Sequence, residues 1–393
     1  MRAAAVILVL ALLALGSCAP RQPAAPRLTL EPARFSDLTG WDRDHTAEAV
    51  PALIRSCAVL EKRAPDAPLG PDAVAGTAGD WRAPCAAART LGAVSDQDAR
   101  HFFATYFAPW QVANNGDAGG LFTGYFEPEL KGSREPGGTF TTPLLRRPPD
   151  LVSVDLGLFR PDWRGERTAG RLVNGALRPY ATRAEIEAGA LDPQHLAFLW
   201  VNDPIAAFIL EIQGSGRVML PDGSVVRVGF DGQNGWPYVA IGRLLVERGA
   251  LSLDDVSLAT IEAWLRSHPS DARALMDENR SYVFFRELQG DGPVGAGGVV
   301  LTAGRSLAVD LRFMPMDVPV WLDATQRNGT ALQRLMMAQD TGGAIRGPVR
   351  GDVFFGFGEA AEVGAGNMRA TGGYYLLLPR DVHPAARFLT ASR

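Results

Sequence analysis

Three carboxylates stand at the ends of apolar runs toward the carboxyl end of this 393-residue chain. Asp310 closes SLAVD, Asp340 closes LMMAQD just ahead of Gly342 and Gly343, and Asp352 opens DVFFGF after a Gly/Pro/Arg loop. If these runs are strands of one small barrel, the acids converge at one rim. An Asp beside Gly is also an ordinary turn residue that bonds its own backbone, and each of the three, taken alone, fits that role. Asp352 differs in its surroundings. Val353, Phe354 and Phe355 would strip water from its carboxyl group and raise its pKa, making it a usable general acid near neutral pH. Asp340 and Asp310 would either add like-charge repulsion in the same direction or only fix loop geometry.

Other side chains suit ligand holding. Gln213, Ser215 and Asn234 supply donors and acceptors beside glycines (IQGSGR, GQNGW), where a ligand can approach the backbone closely. Thr123, Tyr125, Trp236 and Tyr238 offer hydroxyls and flat faces, with a satisfied core role as the alternative for the tyrosines. The five histidines, His45, His101, His195, His268 and His383, are scattered, and Cys57 and Cys85 have no histidine pair beside them. No metal or cofactor is expected. Two motif matches are set aside. Residues 290–295 spell G-x-G-x-x-G, but an apolar strand rather than a helix follows, so no helix terminus receives a pyrophosphate. Asp340-Thr341-Gly342 matches the aspartic-protease triplet, yet no second copy exists to pair with it.

These residues need elements to carry them. Arg2, an apolar run over 3–15, and then Leu15-Gly16-Ser17-Cys18 read as a secretory signal ending in a lipobox, with Cys18 as the lipidated residue and ordinary cleavage near Ala19 as the alternative. Ala19 after the cysteine implies the outer membrane of a Gram-negative cell, the protein facing the periplasm. In that oxidising compartment a Cys57–Cys85 bridge is open. Residues 19–35, rich in Pro, Ala and Arg, read as a flexible tether. Helical spacing follows over 46–62 and 95–107, the second opened by a Ser95/Asp98 capping box and carrying an aromatic stripe that reads as core. From Leu121 the texture changes to short apolar runs split by Gly, Pro and Asp. LFTGYFEPEL, TFTTPLL, AFLWVND, AAFILEIQGSGRVML and SVVRVGF read as strands, Pro221-Asp222-Gly223 as a hairpin turn, and Thr182 with Glu185 as a helix start. Helices return over 237–248, 252–267 and 271–278. Strands then run to the end: SYVFFREL, GVVLTAG, SLAVD, VPVWLD, LMMAQD, DVFFGF and GGYYLLLP. The chain therefore reads as mainly β with peripheral helices, a β-rich body over 126–234 inserted into a discontinuous domain of 36–125 and 235–393. A groove between two such bodies is a natural ligand site. With 47% hydrophobic and 21% charged residues and a net charge of -4, neither a disordered chain, a multi-span membrane protein nor a nucleic-acid binder fits.

The whole mature chain resembles the membrane-bound lytic murein transglycosylase A family, through FTGYFEPEL, FLWVNDPIAAFILEIQGSGRV, GQNGWPYVAIGRLL, NRSYVFFRE, LTAGRSLAVD and, most specifically, AQDTGGAIRGPVRGDVFFGFG. The last hundred or so residues look like its three-aspartate (3D) domain. The resemblance implies a double-psi β-barrel catalytic domain, an inserted second β-barrel and a glycan groove between them. By it, Asp352 takes the place of the single catalytic acid, Asp310 and Asp340 being the other signature aspartates. Arg346 stands where many relatives have Lys.

The implied reaction cleaves the β-1,4 bond between N-acetylmuramic acid and N-acetylglucosamine in peptidoglycan. A glycoside hydrolase generally needs two carboxylates. Enzymes of this family let the muramyl C6 hydroxyl attack instead, closing a 1,6-anhydro ring, so one carboxyl group serves as acid and then as base. The family precedent leans toward an exo-acting monomer; partners in a wall-remodelling complex are not legible in the chain. The rival readings are a non-catalytic peptidoglycan-binding lipoprotein and a plain glycan hydrolase.

Overall fold

The computed structural model describes residues 25–163, 166–290, 292–385 and 388. The signal segment, Cys18 and the start of the tether lie outside them. Six strands close into a barrel in the order Arg369–Pro379, Val318–Gln326, Ala331–Asp340, Ser306–Val309, Arg350–Phe357 and Gly120–Glu127, the last pairing back with the first. Two neighbouring pairs are parallel, Ser306–Val309 with Ala331–Asp340 and Arg350–Phe357 with Gly120–Glu127; the other four are antiparallel. Closure leaves these strands buried on both faces. Val318, Val320, Trp321 and Leu322 are wholly shielded. One side of such a strand fills the barrel and the other meets the helix Val50–Leu60 outside it.

Two further strands, Leu28–Pro32 and Phe107–Asn114, extend the sheet beside Arg369–Pro379. Leu28 and Leu30 are buried in the main core. This corrects the tether, which was read to run to residue 35: alternating LTLEP has enough apolar surface to pair and pack, and Pro32 sits at the strand end, where a missing N–H costs no ladder bond. The helix Arg82–Thr90 lies against Val50–Leu60, and the Cys57–Cys85 disulfide joins the two. The helix Asp96–Tyr106 is N-capped by Ser95, and Phe102 and Phe103 of its stripe are core.

The chain leaves the barrel at Glu127 and enters a second, six-stranded sheet in the order Val283–Glu287, Val225–Gln233, Ser215–Met219, Glu129–Ser133, Ala197–Val201 and Thr142–Leu145. A three-stranded sheet, Val152–Asp155, Arg167–Val173 and Ala176–Pro179, is appended. The insert therefore extends past residue 234, because Val283–Glu287 pairs with Val225–Gln233. The change from strand to helix texture at residue 235 marks no boundary, because those helices are carried within the insertion.

Three further differences matter for the site. AAFILEIQ is the helix Pro204–Gln213, not a strand: Asp203 accepts from the N–H groups of Ile205 and Ala206, Pro204 holds the first turn, and Gly214 ends it with φ +80°. GVVLTAG forms no strand; Val300 makes only an isolated bridge to Val294. EAAEVGAGN forms the unforeseen helix Glu359–Asn367, packed on Gly120–Glu127 and Arg350–Phe357. Gly124 permits that packing, since a Cβ there would lie 2.8 Å from the Ala365 Cα.

Candidate active site

Strand register assembles the site. Ala308 pairs with Asp340 on one side and Asp352 on the other, and Asp352 pairs with Thr123. Asp340, Ala308, Asp352 and Thr123 thus form one row across four adjacent strands. Two strand spacings separate the two aspartate backbones, about 10 Å, a reach that their side chains and Tyr125 partly span. A cavity of about 370 Å³ opens onto this row. Gly342, Gly343 and Ala344 of the loop after Asp340 form one wall, and Ile209, Gln213 and Ile261 of helices Pro204–Gln213 and Leu258–Ser267 form another.

The three aspartates have different occupations. Asp310 is 3% exposed and lies outside the cavity lining. It accepts from the Arg312 guanidinium at 2.6 Å, from the Arg312 N–H at 3.1 Å and from the Gly347 N–H at 2.6 Å. It therefore pins the glycine loop, which is the loop-fixing alternative, and it does not join the rim. Asp340 lines the cavity but accepts from the Tyr125 hydroxyl at 2.8 Å and from the N–H groups of Ala296 and Thr341 at 3.0 and 2.9 Å. Burial pushes its pKa up, against those three donors. Asp352 accepts only one hydrogen bond among the described residues, from Thr123 Oγ1 at 2.5 Å, and it faces the cavity. Burial pushes its pKa up to about 6; Arg350 and Thr123 pull it down, and Asp340 pushes it further up.

The expected ligand contacts divide. Tyr125, Gln213 and Tyr238 line the cavity. Gln213 Oε1 already accepts from the Phe126 N–H at 3.0 Å, leaving its NH₂ as the donor for a ligand. Burial raises the Tyr238 hydroxyl to about 12, so it stays a neutral donor. Thr123 is committed to Asp352. Ser215 bonds Glu127 at the junction of the two bodies and does not line the cavity. Asn234 is fully buried; its amide donates to the carbonyls of Ala181 and Arg280 and accepts from the Tyr282 N–H, so it staples the chain instead of meeting a ligand. Trp236 donates Nε1–H to the Tyr180 carbonyl and borders a separate pocket. Arg350, Arg243 and Glu262 are charged groups at or near the cavity that the sequence reading did not single out. Arg350 was the accessible one: a residue two before Asp352 on a strand shares its face. Among the described residues no cluster of His, Cys, Asp and Glu suits a metal ion.

A closed six-stranded barrel with two aspartates at a cavity, one of them keeping a carboxyl oxygen without a donor among the described residues, interrupted by a second β body, defines a two-body protein of the 3D-domain class. Residues 305–378 match the 3D domain and residues 121–286 the MltA specific insert domain. A crystal structure of a membrane-bound lytic murein transglycosylase from Agrobacterium tumefaciens superposes with a TM-score of 0.79 at 33% identity, covering 90% of this chain and 98% of that one. A structure of Escherichia coli MltA with bound chitohexaose superposes with a TM-score of 0.62 at 25% identity, covering 91% and 93%. Membrane-bound lytic murein transglycosylase A of Escherichia coli K12 is 33% identical over 267 residues, a stretch spanning 65% of each chain. The chain belongs to the membrane-bound lytic murein transglycosylase A family.

Proposed function

We propose that this protein is a peptidoglycan lytic transglycosylase that cleaves the bond from N-acetylmuramic acid to N-acetylglucosamine, with Asp352 as the single acid and base. The carrying observation is that, of the three signature aspartates, only Asp352 meets the cavity with a carboxyl oxygen not already claimed by a donor among the described residues. Burial raises its pKa to about 6, which keeps roughly a tenth of it protonated at pH 7 where an ordinary Asp holds less than about one part in a thousand. The proton passes to the glycosidic oxygen as the bond to the muramyl C1 breaks. The muramyl C6 oxygen then bonds C1, and its proton returns to Asp352, so the carboxyl group ends as it began. No water is consumed. The chitohexaose of the Escherichia coli relative supports a glycan in this cleft. Gln213 and Tyr238 are the side chains with a proton to donate placed to hold it, Tyr125 having given its own to Asp340, while Asp340 and Asp310 keep the surrounding loops in register.

Lipid on Cys18 would place this cleft against the wall from the outer membrane, consistent with relatives named as membrane-bound. Among the described residues no helix is long and apolar enough to cross a membrane. Digestion of purified murein followed by mass spectrometry tests the reading. Anhydromuramyl products that disappear in Asp352→Asn, with wild-type turnover falling as pH rises through about 6, are expected. Reducing-end products would instead identify a hydrolase, and no released fragments a binder.

A further inference from the structure

Arg350 and Asp352 are two residues apart on the strand Arg350–Phe357, so their side chains leave the same side of the barrel wall. On the parallel neighbour they stand opposite Leu121 and Thr123. Arg350 Nη2 donates to Thr123 Oγ1 at 2.7 Å, and Thr123 Oγ1 donates to Asp352 Oδ1 at 2.5 Å. A hydroxyl has one proton to give. With Arg350 filling its acceptor side, the Thr123 proton is directed at the carboxylate. Arg350 Nη1 donates to the carbonyls of Leu121, at 3.3 Å, and Gly351. All these partners of the guanidinium are neutral oxygens, so its charge is not cancelled by a bonded carboxylate.

We propose that Arg350 is a positioning residue for the reaction: through Thr123 it aims the Asp352 carboxyl group, and its charge offsets Asp340 to set the pH at which the acid gives up its proton. The inference rests on Asp352 being that acid. The groups around Asp352 are few. Arg350 and Thr123 come from its own and the neighbouring strand, Ala308 is apolar, and Asp340 lies one strand beyond with Tyr125 bonded to it. Tyr238, Arg243 and Glu262 line other parts of the cavity. Of the charges, Arg350 pulls Asp352 down and Asp340 pushes it up. The Thr123 hydrogen bond and the Arg350 charge steady the carboxylate that remains between proton donation and recovery, an interval in which an unaided buried anion would recapture the proton from the leaving sugar.

The test is the pH profile of anhydromuramyl product release, run beside thermal denaturation. A general acid works protonated, so the alkaline limb reports its pKa. Arg350→Met should move that limb up by about one pH unit and lower the maximal rate roughly tenfold. Arg350→Lys restores the charge and should bring the limb back toward wild type. Thr123→Val should move it in the same upward direction, and Arg350→Met placed on Thr123→Val should add less than it does alone. A folded Arg350→Met whose limb stays at the wild-type pH overturns the proposal. Should Arg350→Met not fold, an unmoved limb in Thr123→Val overturns it equally. Asp352→Asn separates the two levels: parental product release there removes the acid itself, whereas an inactive Asp352→Asn with an unmoved Arg350→Met limb removes only the role of Arg350.

Discussion

At the scale of single residues, the carboxyl group proposed as the acid costs the fold stability. Asp352 holds its proton up to a pH of about 6 in the folded chain against an ordinary value of 3.8. The folded state therefore binds this proton more tightly than the unfolded state. That favourable contribution is complete below about pH 4 and is lost as pH rises through about 6. Asp352→Asn, which does not titrate, should be more stable than wild type above pH 6, by about 3 kcal/mol at most, with the gap closing below about pH 4. Urea denaturation at pH 4 and pH 8 measures the two limits, and a variant destabilised equally at both would contradict a desolvated carboxylate. Asn234 shows the converse. It looked like a sugar ligand because it is polar and sits between glycines, yet burial commits its amide to backbone groups.

The elements that present these residues are decided largely by their ends. Asp203 Oδ1 accepts from Ile205 and Ala206 at 2.9 and 3.2 Å, and its other oxygen meets Arg266 at 2.8 Å. The helix it caps ends at Gln213, which lines the cavity. Asp203→Ala should lose about 1 kcal/mol in urea denaturation, and Asp203→Asn, which keeps the cap, clearly less. Ser95, Thr182 and the Pro221-Asp222-Gly223 turn were legible for the same reason: each is a contact between residues two to four apart. The Pro204–Gln213 helix was misread although its Asp-Pro start was present. Its face is apolar nearly all round, because Phe208, Ile209 and Leu210 are all buried, and periodicity cannot separate such a segment from a buried strand.

For the molecule as a whole, the cleft depends on how barrel and insert are joined. Glu127, at the end of a barrel strand, is 1% exposed and accepts from Arg227 of the insert at 2.9 Å. Burial raises the Glu127 carboxyl group, and Arg227 pulls against that rise. Removing Arg227 leaves the buried Glu127 carboxyl group without its bonded cation, with only the Ser215 bond and the nearby Arg217 charge to offset burial. Arg227→Met should therefore cost about 3–5 kcal/mol by denaturation. A loss below about 1 kcal/mol would show that the Arg227–Glu127 pair contributes little to the junction. The insert boundary was misplaced at this same scale, since the strand that completes its sheet, Val283–Glu287, returns only after three helices.

The sequence by itself determined the β-rich body with an insertion, the helix caps, the hairpin, and the desolvating run Val353-Phe354-Phe355 that marks Asp352. These are properties of neighbours along the chain. Only the tertiary structure decided which of three similar aspartates meets the cavity with an unclaimed carboxyl oxygen, because the distinction lies in donors far away in the chain. Tyr125 reaches Asp340 across 215 positions and Thr123 reaches Asp352 across 229. Barrel closure brings them into one row, and no local pattern of residue types records which strands will be neighbours.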